Sequence, residues 1–129
     1  MPLIKIDLLE GRTDDELKTL LDILHDCVLD AFEVPERDRY QVITEHKPGR
    51  MVLWDTGLGF ERSEQMILLR VYTSPRRTVM KTKFCKIVAE RLESSWGLDP
   101  KNLMISFITN TDADWSFGYG EIQYLTGKL

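Results

Sequence analysis

Hydrophobic and polar positions along the chain predict a strand, a helix and a second strand in the first half. Residues 3–8 are mostly apolar, as in a partly buried strand, and a capping box of Thr13 and Glu16 marks the start of a helix. Apolar residues at helical spacing then give that helix one buried face: Leu17, Leu20, Leu21, Leu24, Val28, Ala31 and Phe32. Pro35 stops the helix, and residues 40–44 predict the second strand.

The same order of elements recurs in the second half. Residues 66–72 predict a strand, Thr78 opens a second helix, and residues 104–109 predict another strand. Gly97 is placed to end this helix, whose apolar face carries Phe84, Ile87, Val88 and Leu92. The second half therefore predicts a second strand–helix–strand unit.

The two halves match at an offset of 65 residues, which predicts an internal repeat of residues 2–45 and 67–110. A right-handed crossover makes the two strands of each unit parallel. We therefore predict a single α+β domain over residues 1–129: two fused β-α-β units giving a four-stranded sheet with two helices on one face. The alternative is the loose repetition that any chain of alternating strands and helices shows.

Two segments lie outside the repeated elements. Between the units, residues 51–54 predict a short strand and residues 56–59 a glycine-bearing loop. The last part of the chain is rich in aromatic residues and glycine and includes Trp115 and Phe117. Aromatic side chains beside flexible glycines favour a pocket or a subunit contact. Packing into the core is an equally weighted alternative.

The composition narrows the classes of function. The chain has 129 residues, of which 43% are hydrophobic and 29% charged, as in an ordinary soluble domain. Its net charge of −4 provides no overall field for nucleic acid, so we expect no nucleic-acid partner. The chain has neither an apolar run of membrane-spanning length nor a signal peptide, so we expect a cytoplasmic protein without membrane contact.

Cysteine and histidine point to no metal or cofactor. Cys27 and Cys85 fall in helical patterns and are expected to be free and buried. His25 is expected on the surface of the first helix and His46 in an exposed turn. Neither histidine has ligand-type spacing to a cysteine, and we expect no metal and no cofactor.

Pro2 is the first candidate for chemistry. If Met1 is removed, Pro2 becomes a free secondary amine at the start of a strand. A free terminal amine titrates near pH 8, and burial lowers that value. Such an amine can act as a general base near neutral pH, or as a general acid if it stays protonated.

Charged residues in two loops are further candidates. Ser74 is followed, after a proline, by Arg76 and Arg77, which lie close to the start of the second helix. Cations are unfavourable at a helix N-terminus, so these arginines favour a role in holding an anion, with solvated side chains as the alternative. Asp38 lies between two arginines before the second strand, where a surface ion pair is the simpler interpretation.

The chain as a whole resembles the tautomerase superfamily, and within it malonate semialdehyde decarboxylases. The resemblance rests on PLIKIDL at residues 2–8, EGRTD at 10–14, DRYQ at 38–41, DTGLG at 55–59 and NTDADWSFG at 110–118. The last two motifs are the most specific.

This resemblance implies a homotrimer of doubled β-α-β units that acts on small carboxylate substrates, with Pro2 catalytic after removal of Met1. It also implies that Asp38 assists the proline and that arginine binds the substrate carboxylate. We assign catalytic roles to Pro2, Asp38 and Arg76. The decarboxylases have an arginine on each side of the loop proline, whereas this chain has Ser74 before it.

The remaining candidates are substrate-binding residues. Arg77 stands next to Arg76 and can compensate for the arginine that Ser74 replaces. Trp115 and Phe117 resemble the hydrophobic pocket wall of the family. We therefore assign substrate binding to Arg77, Ser74, Trp115 and Phe117.

Three functions fit this pattern. The first is a decarboxylase-like lyase acting on small 3-oxo or 2-oxo acids, with Pro2 as general acid. The second is an enol–keto tautomerase of the phenylenolpyruvate or 2-hydroxymuconate type, with Pro2 as general base. The third is a non-catalytic trimeric binding protein. The negative charge of Asp38 would favour a protonated amine, which slightly favours the first.

Overall fold

The computed structural model describes all 129 residues and contains one four-stranded sheet. Its strands are β1 (Pro2–Leu9), β2 (Tyr40–His46), β3 (Ile67–Thr73) and β4 (Leu103–Thr109), in the order β2-β1-β3-β4. The pairs β1/β2 and β3/β4 are parallel, and the central pair β1/β3 is antiparallel. Each parallel pair belongs to one strand–helix–strand unit, and the two units join through their first strands.

Two long helices connect the strands of the parallel pairs. They are α1 (Asp14–Phe32) and α2 (Thr78–Trp96), and a single-turn α3 (Gln123–Thr126) lies near the end of the chain. Short 3₁₀ turns span Pro100–Asn102 and Asp112–Asp114. None of the helices has the length and apolarity that a membrane crossing requires.

The two long helices begin differently. The Thr13 hydroxyl accepts a hydrogen bond from the backbone N–H of Glu16, whose carboxylate accepts one from the backbone N–H of Thr13, both at 3.1 Å. The predicted capping box is therefore confirmed. α2 follows Arg77, whose side chain provides no capping acceptor. Gly97 ends α2 with a φ of 71°, a conformation that glycine adopts without strain.

Both long helices pack against one face of the sheet. Alternation along β1 and β3 directs one set of side chains to that face: Ile4, Ile6, Leu8, Ile67, Leu69 and Val71. The helices cover them with Leu20, Leu24, Cys27, Val28, Ala31, Phe32, Phe84, Val88 and Leu92. The predicted fold class, an α+β sheet of two β-α-β units with two helices on one face, is confirmed.

The opposite face of the sheet is uncovered in the isolated chain. Its strands carry Tyr40, Val42, Met104 and Ile108, each of which keeps 37–48% of its surface exposed. These positions pair with the outward-facing residues of β1 and β3. The sheet therefore has one packed face and one face without covering helices, on which these apolar side chains lie among polar ones such as Lys5 and Arg70.

The repeat is less regular in the structure than in the sequence. Leu3 pairs with Tyr40 and Leu68 pairs with Met104, so the offset is 65 residues for the first strands and 64 for the second. The change occurs before the second helix, because α1 (Asp14–Phe32) and α2 (Thr78–Trp96) are already offset by 64 residues at both ends. The repeat of residues 2–45 and 67–110 stays a prediction.

Three local predictions were wrong. Residues 51–54 form no strand, because they make no ladder of hydrogen bonds with any of the four strands. His25 is only 7% exposed, because the segment after α1 folds back against it. His46 is not in an exposed turn but ends β2, with Nε2 2.8 Å from Oδ1 of Asp7. The two cysteines are free as expected, Cys27 buried and Cys85 half-buried.

Candidate active site

Pro2 lies at one end of the sheet, as the first residue of the central strand β1. It is buried, and it pairs with Thr73, the last residue of β3. The Thr73 carbonyl also accepts a hydrogen bond from the backbone N–H of Asn110, which follows β4, at 2.9 Å. The start of β1 is therefore surrounded by the segments that follow β3 and β4.

Asp38 lies at this end of the sheet, two residues before β2. It is only 4% exposed, and neither of its carboxylate oxygens has a hydrogen-bond partner. Burial raises the pKa of Asp38 above its ordinary 3.8, while the positive charges of the terminal amine, Arg76 and His25 act to lower it. Asp38 therefore does not form the surface ion pair that was the simpler interpretation of its sequence position.

The terminal amine of Met1 shares this electrostatic environment. Burial lowers its pKa below the ordinary 8.0, and Arg76 lowers it further. Asp38 and Asp112 act in the opposite direction without reversing the shift. Removal of Met1 would transfer the free amine to the nitrogen of Pro2, one residue further into the sheet.

Arg76 lies in the loop after β3 and is anchored at two points. Its Nε donates a hydrogen bond to Oγ1 of Thr73 at 3.2 Å, and its guanidinium carbon lies 5.4 Å from the centre of the Phe32 ring. The Thr73 hydroxyl in turn donates to the carbonyl of Ser74 at 2.9 Å. These anchors leave both Nη groups without a partner in the chain, which suits the bidentate binding of a carboxylate.

The other two loop residues are placed differently from Arg76. Ser74 is half-buried at the end of β3, and its backbone carbonyl takes part in fixing the loop. Arg77 is exposed at the start of α2 and is not among the charges that act on Asp38 or on the terminal amine. The isolated chain brings Pro2, Asp38 and Arg76 together but leaves Arg77 outside the cluster.

Aromatic rings form a continuous stack beside these charges. Trp115 and Phe117 stack at 5.5 Å between ring centres, and Phe117 stacks on Tyr40 at 5.6 Å. The indole N–H of Trp115 donates to Oδ1 of Asn110 at 2.8 Å, which anchors the stack to the segment after β4. Because Tyr40 lies two residues from Asp38, the stack can form an apolar wall of the site.

Tyr40, Tyr124 and His25 belong to this environment, and the sequence interpretation did not assign any of them to the site. Burial raises the pKa of both tyrosines, and the charge of Asp38 raises both further. Tyr124 contacts Phe117 edge-on at 5.7 Å. Because Tyr40 lies two residues after Asp38, the sequence could have been used to predict that Tyr40 lies near the site. No pattern in the sequence indicated that Tyr124 or His25 lies near Asp38.

The arrangement combines an amine, a carboxylate and a guanidinium within electrostatic reach of each other. Amine and carboxylate can exchange protons with a small substrate, and the guanidinium can hold an anionic group. The chain has no group of three or more His, Cys, Asp or Glu side chains arranged to hold a metal ion.

A cavity of the chain lies away from the residues of the candidate site. It has a volume of about 540 Å³ and is formed within the segment between β2 and β3, from Met51 to Met66. None of Pro2, Asp38 and Arg76 lines it. The candidate site is therefore separate from this cavity.

Comparison with known proteins gives a consistent result. Two family models, each described as "Tautomerase enzyme", match residues 38–118 and residues 2–61. The chain is 49% identical over 129 residues to "Probable tautomerase YrdN" of Bacillus subtilis (strain 168), a match that covers 100% of both chains.

Solved structures also match over nearly the full length. A malonate semialdehyde decarboxylase with decarboxylase and hydratase activities is 47% identical, with a TM-score of 0.95 and 98% of each chain covered. Another malonate semialdehyde decarboxylase, inhibited by 3-bromopropiolate, is 34% identical, with a TM-score of 0.93 over 98% of this chain and 97% of that one. A fused 4-OT that forms a symmetric trimer has the same fold at 18% identity, with a TM-score of 0.78 over 97% of this chain and 98% of that one.

Proposed function

The chain belongs to the tautomerase superfamily and is an enzyme of that superfamily, and on this premise we propose that it is a malonate semialdehyde decarboxylase-like lyase. Its substrates would be small 3-oxo or 2-oxo carboxylic acids, and Pro2 would act as a general acid once Met1 has been removed. The two decarboxylases that match over nearly the whole chain support this proposal.

One observation carries the proposal: the buried and unpartnered carboxylate of Asp38 beside the terminal amine. A carboxylate buried without a partner is unfavourable, so its placement calls for a compensating cation. The electrostatic effect between Asp38 and the amine is mutual, because each stabilises the charged form of the other. Asp38 would thereby help to keep the Pro2 amine protonated.

The proposed reaction assigns one task to each group. The protonated Pro2 nitrogen donates a hydrogen bond to the aldehyde oxygen of malonate semialdehyde, while Arg76 holds the carboxylate. The bond between the carboxylate carbon and the α-carbon breaks, its electron pair passes into an enolate, and CO₂ leaves. The enolate oxygen forms beside the cationic amine, which stabilises the developing charge. Protonation of the α-carbon then gives acetaldehyde.

The remaining candidates have supporting roles in the proposal. Trp115 and Phe117 provide an apolar wall that excludes water from one side of the substrate. Ser74 fixes the arginine loop through its backbone carbonyl. Arg77, exposed in the isolated chain, binds substrate only if the site is completed by another subunit or by a loop movement.

A second candidate function is favoured by the terminal amine itself. Burial and Arg76 lower the pKa of this amine despite the nearby carboxylates. The same surroundings would favour the neutral form of the Pro2 amine once Met1 is removed, and a neutral amine is the general base that an enol–keto tautomerase of the phenylenolpyruvate or 2-hydroxymuconate type requires. The relative that is 49% identical, a probable tautomerase, agrees with this alternative.

We also propose that the working form is a homotrimer. The uncovered sheet face exposes apolar side chains that neighbouring subunits would cover. The trimeric fused 4-OT of the same fold supports this proposal.

The two functions are separated by assaying one preparation whose mass shows that Met1 is absent. Acetaldehyde release from malonate semialdehyde is followed with a coupled alcohol dehydrogenase, and ketonisation of phenylenolpyruvate and 2-hydroxymuconate by absorbance. For the proposed lyase we expect a higher kcat/KM for malonate semialdehyde than for either enol substrate. A kcat/KM at least a hundredfold higher for an enol substrate would overturn it in favour of the tautomerase.

A further inference from the structure

His25 lies on α1 against the turn that carries Asp38. It is 7% exposed, and its Nε2 lies 2.8 Å from the carbonyl oxygen of Glu36. Because a carbonyl oxygen can only accept, Nε2 carries a proton and donates it to this bond. Asp38 follows two residues later, and its backbone N–H donates to the carbonyl of Pro35 at 2.9 Å. The His25 side chain therefore holds the middle of the turn.

Asp38 needs such a restraint because its carboxylate has lost water without gaining a hydrogen bond. A small rotation of the turn would return the carboxylate to solvent and recover its hydration. The buried position is stable only if the turn itself is fixed.

The other contacts between this segment and α1 lie closer to the surface. Arg39 donates from Nη2 to Asp22 and from Nε to Gln41, both at 2.8 Å, and Arg39 and Asp22 are exposed. Gln41 donates to the carbonyl of Leu21 at 2.7 Å. Exposed ion pairs contribute little to stability, so the Arg39 contacts restrain the segment weakly. Among the side chains that hold the segment, His25 is the buried one.

We propose that His25 is a positioning residue: through its hydrogen bond to Glu36 it keeps the Asp38 carboxylate inside the site, facing the terminal amine. The inference rests on the proposed function of Asp38, because a carboxylate with no task would not need to be held there. His25 itself touches neither the substrate nor the reacting atoms in this proposal.

If His25 acted on Asp38 through its charge, removing it would change the Asp38 pKa in the opposite direction from the change expected if His25 holds the turn in place. The charge of His25 lowers the pKa of Asp38, so losing that charge alone would raise it. Losing the restraint would expose the carboxylate to water, and its pKa would fall toward the ordinary 3.8. The direction of the change in the Asp38 pKa therefore separates the two roles.

The test uses three variants of the full chain. His25→Leu removes the hydrogen-bond donor and fills the buried position with an apolar side chain. If the leucine variant does not fold, His25→Met is used in its place. His25→Gln keeps an N–H donor close to the Nε2 position but carries no charge. Arg39→Met is the matched control, because it removes the exposed contacts of the same segment.

Two measurements are made on each variant. The pKa of Asp38 is obtained by ¹³C NMR titration of its carboxyl resonance, assigned with Asp38→Asn. Steady-state kinetics give kcat and KM separately. We expect a lower Asp38 pKa and a kcat reduced about tenfold in His25→Leu, with KM changed by less than about threefold. In Arg39→Met we expect the Asp38 pKa, kcat and KM to stay close to those of the parent. In His25→Gln we expect a kcat within about threefold of the parent and no fall in the Asp38 pKa.

Two results would overturn the inference. An unchanged Asp38 pKa in His25→Leu, together with a lower melting temperature, would show a role in stability alone. A pKa raised equally in His25→Leu and His25→Gln would show that His25 acts by charge. Failure of the proposed function gives a different pattern: the parent would then prefer an enol substrate or turn over none of the substrates, while the differences in the Asp38 pKa among the variants persist.

Discussion

The hydroxyl of Thr73 accepts a hydrogen bond from Nε of Arg76 at 3.2 Å, and this bond fixes the arginine next to the start of β1. Thr73 is fully buried and pairs with Pro2 across the sheet. The same residue therefore sets the position of the proposed acid and that of the proposed carboxylate-binding group. A substrate held between these two proposed groups would have its orientation determined by the end of a strand rather than by a flexible loop.

Replacing Arg76 by alanine should raise KM for carboxylate substrates by roughly ten- to a hundredfold. A charge-assisted, bidentate contact with the carboxylate would be lost. Arg39→Ala is the control, because the Arg39 guanidinium is engaged by Asp22 and Gln41, and its KM should change by less than about twofold. The KM of each variant is obtained from initial rates over a range of substrate concentrations. Equal effects on KM would mean that Arg76 is not the carboxylate-binding arginine.

Replacing Pro2 by alanine should reduce kcat by roughly a hundredfold or more and leave the oligomeric state unchanged. The variant keeps a terminal amine after removal of Met1, but the amine is primary and no longer fixed by the pyrrolidine ring. Light scattering after gel filtration checks the assembly, and mass spectrometry checks the N-terminus. Turnover equal to that of the parent would remove Pro2 from the mechanism.

Replacing Asp38 by asparagine should abolish most of the activity and raise the melting temperature by a few degrees. The pKa of Asp38 is raised in the folded chain, so the folded state binds the proton more tightly than the unfolded state does. The ionised carboxylate therefore destabilises the fold above its folded-state pKa, and this penalty disappears as the pH falls below the ordinary value of 3.8. Calorimetry at pH 7 and in acid should find a gain in melting temperature only at pH 7. A lower melting temperature of the variant at pH 7 would contradict this interpretation.

Replacing Asp7 by asparagine should destabilise the fold near neutral pH, in contrast to Asp38→Asn. Burial acts to raise the pKa of Asp7, but hydrogen bonds from His46 and Arg70, both at 2.8 Å, outweigh it and lower the pKa below 3.8. A lowered folded-state pKa contributes stability that is present above the unfolded-state value and is lost as the pH falls through the folded-state value. Loss of the pair should cost about 1–3 kcal/mol at pH 7. Denaturant titrations at pH 7 and near pH 3 should show that this difference shrinks in acid, and a difference independent of pH would argue against the assigned network.

Cys27 should resist alkylation in the folded protein. Burial raises its pKa to about 11, so hardly any thiolate is present at pH 8. Cys85, half-buried and with a pKa also raised by burial, should react slowly but before Cys27. Iodoacetamide treatment followed by mass spectrometry of the peptides gives the order of reaction. Modification of Cys27 at the rate seen in denaturant would show that the core around it opens readily.

Local patterns were sufficient to predict most of the fold. The capping box at Thr13 and Glu16, the apolar face of α1 and the glycine at the end of α2 each specify an element through contacts within a few residues. The segment at residues 51–54 was predicted as a strand from its composition, but a strand also requires a partner edge. This segment pairs with none of the four strands.

The candidate site was predictable only in part, because long-range folding decides burial. Pro2, Asp38 and Arg76 were identified from residue type, loop position and resemblance, and the structure brings them to one end of the sheet. His25 was expected on the surface because the helical pattern cannot reveal that the Glu36 turn folds over it. Tyr124 comes into the environment of Asp38 through the path of the chain after β4, which no local pattern specifies.

The uncovered sheet face has a consequence for every measurement made at low protein concentration. Val42, Met104 and Ile108 leave apolar area in water when the chain is alone, and any neighbour that covers this area stabilises the folded state by mass action. Dilution should then lower the melting temperature and the specific activity together. Assays at concentrations where the proposed homotrimer dissociates would report the separated chain rather than the intrinsic chemistry of the site.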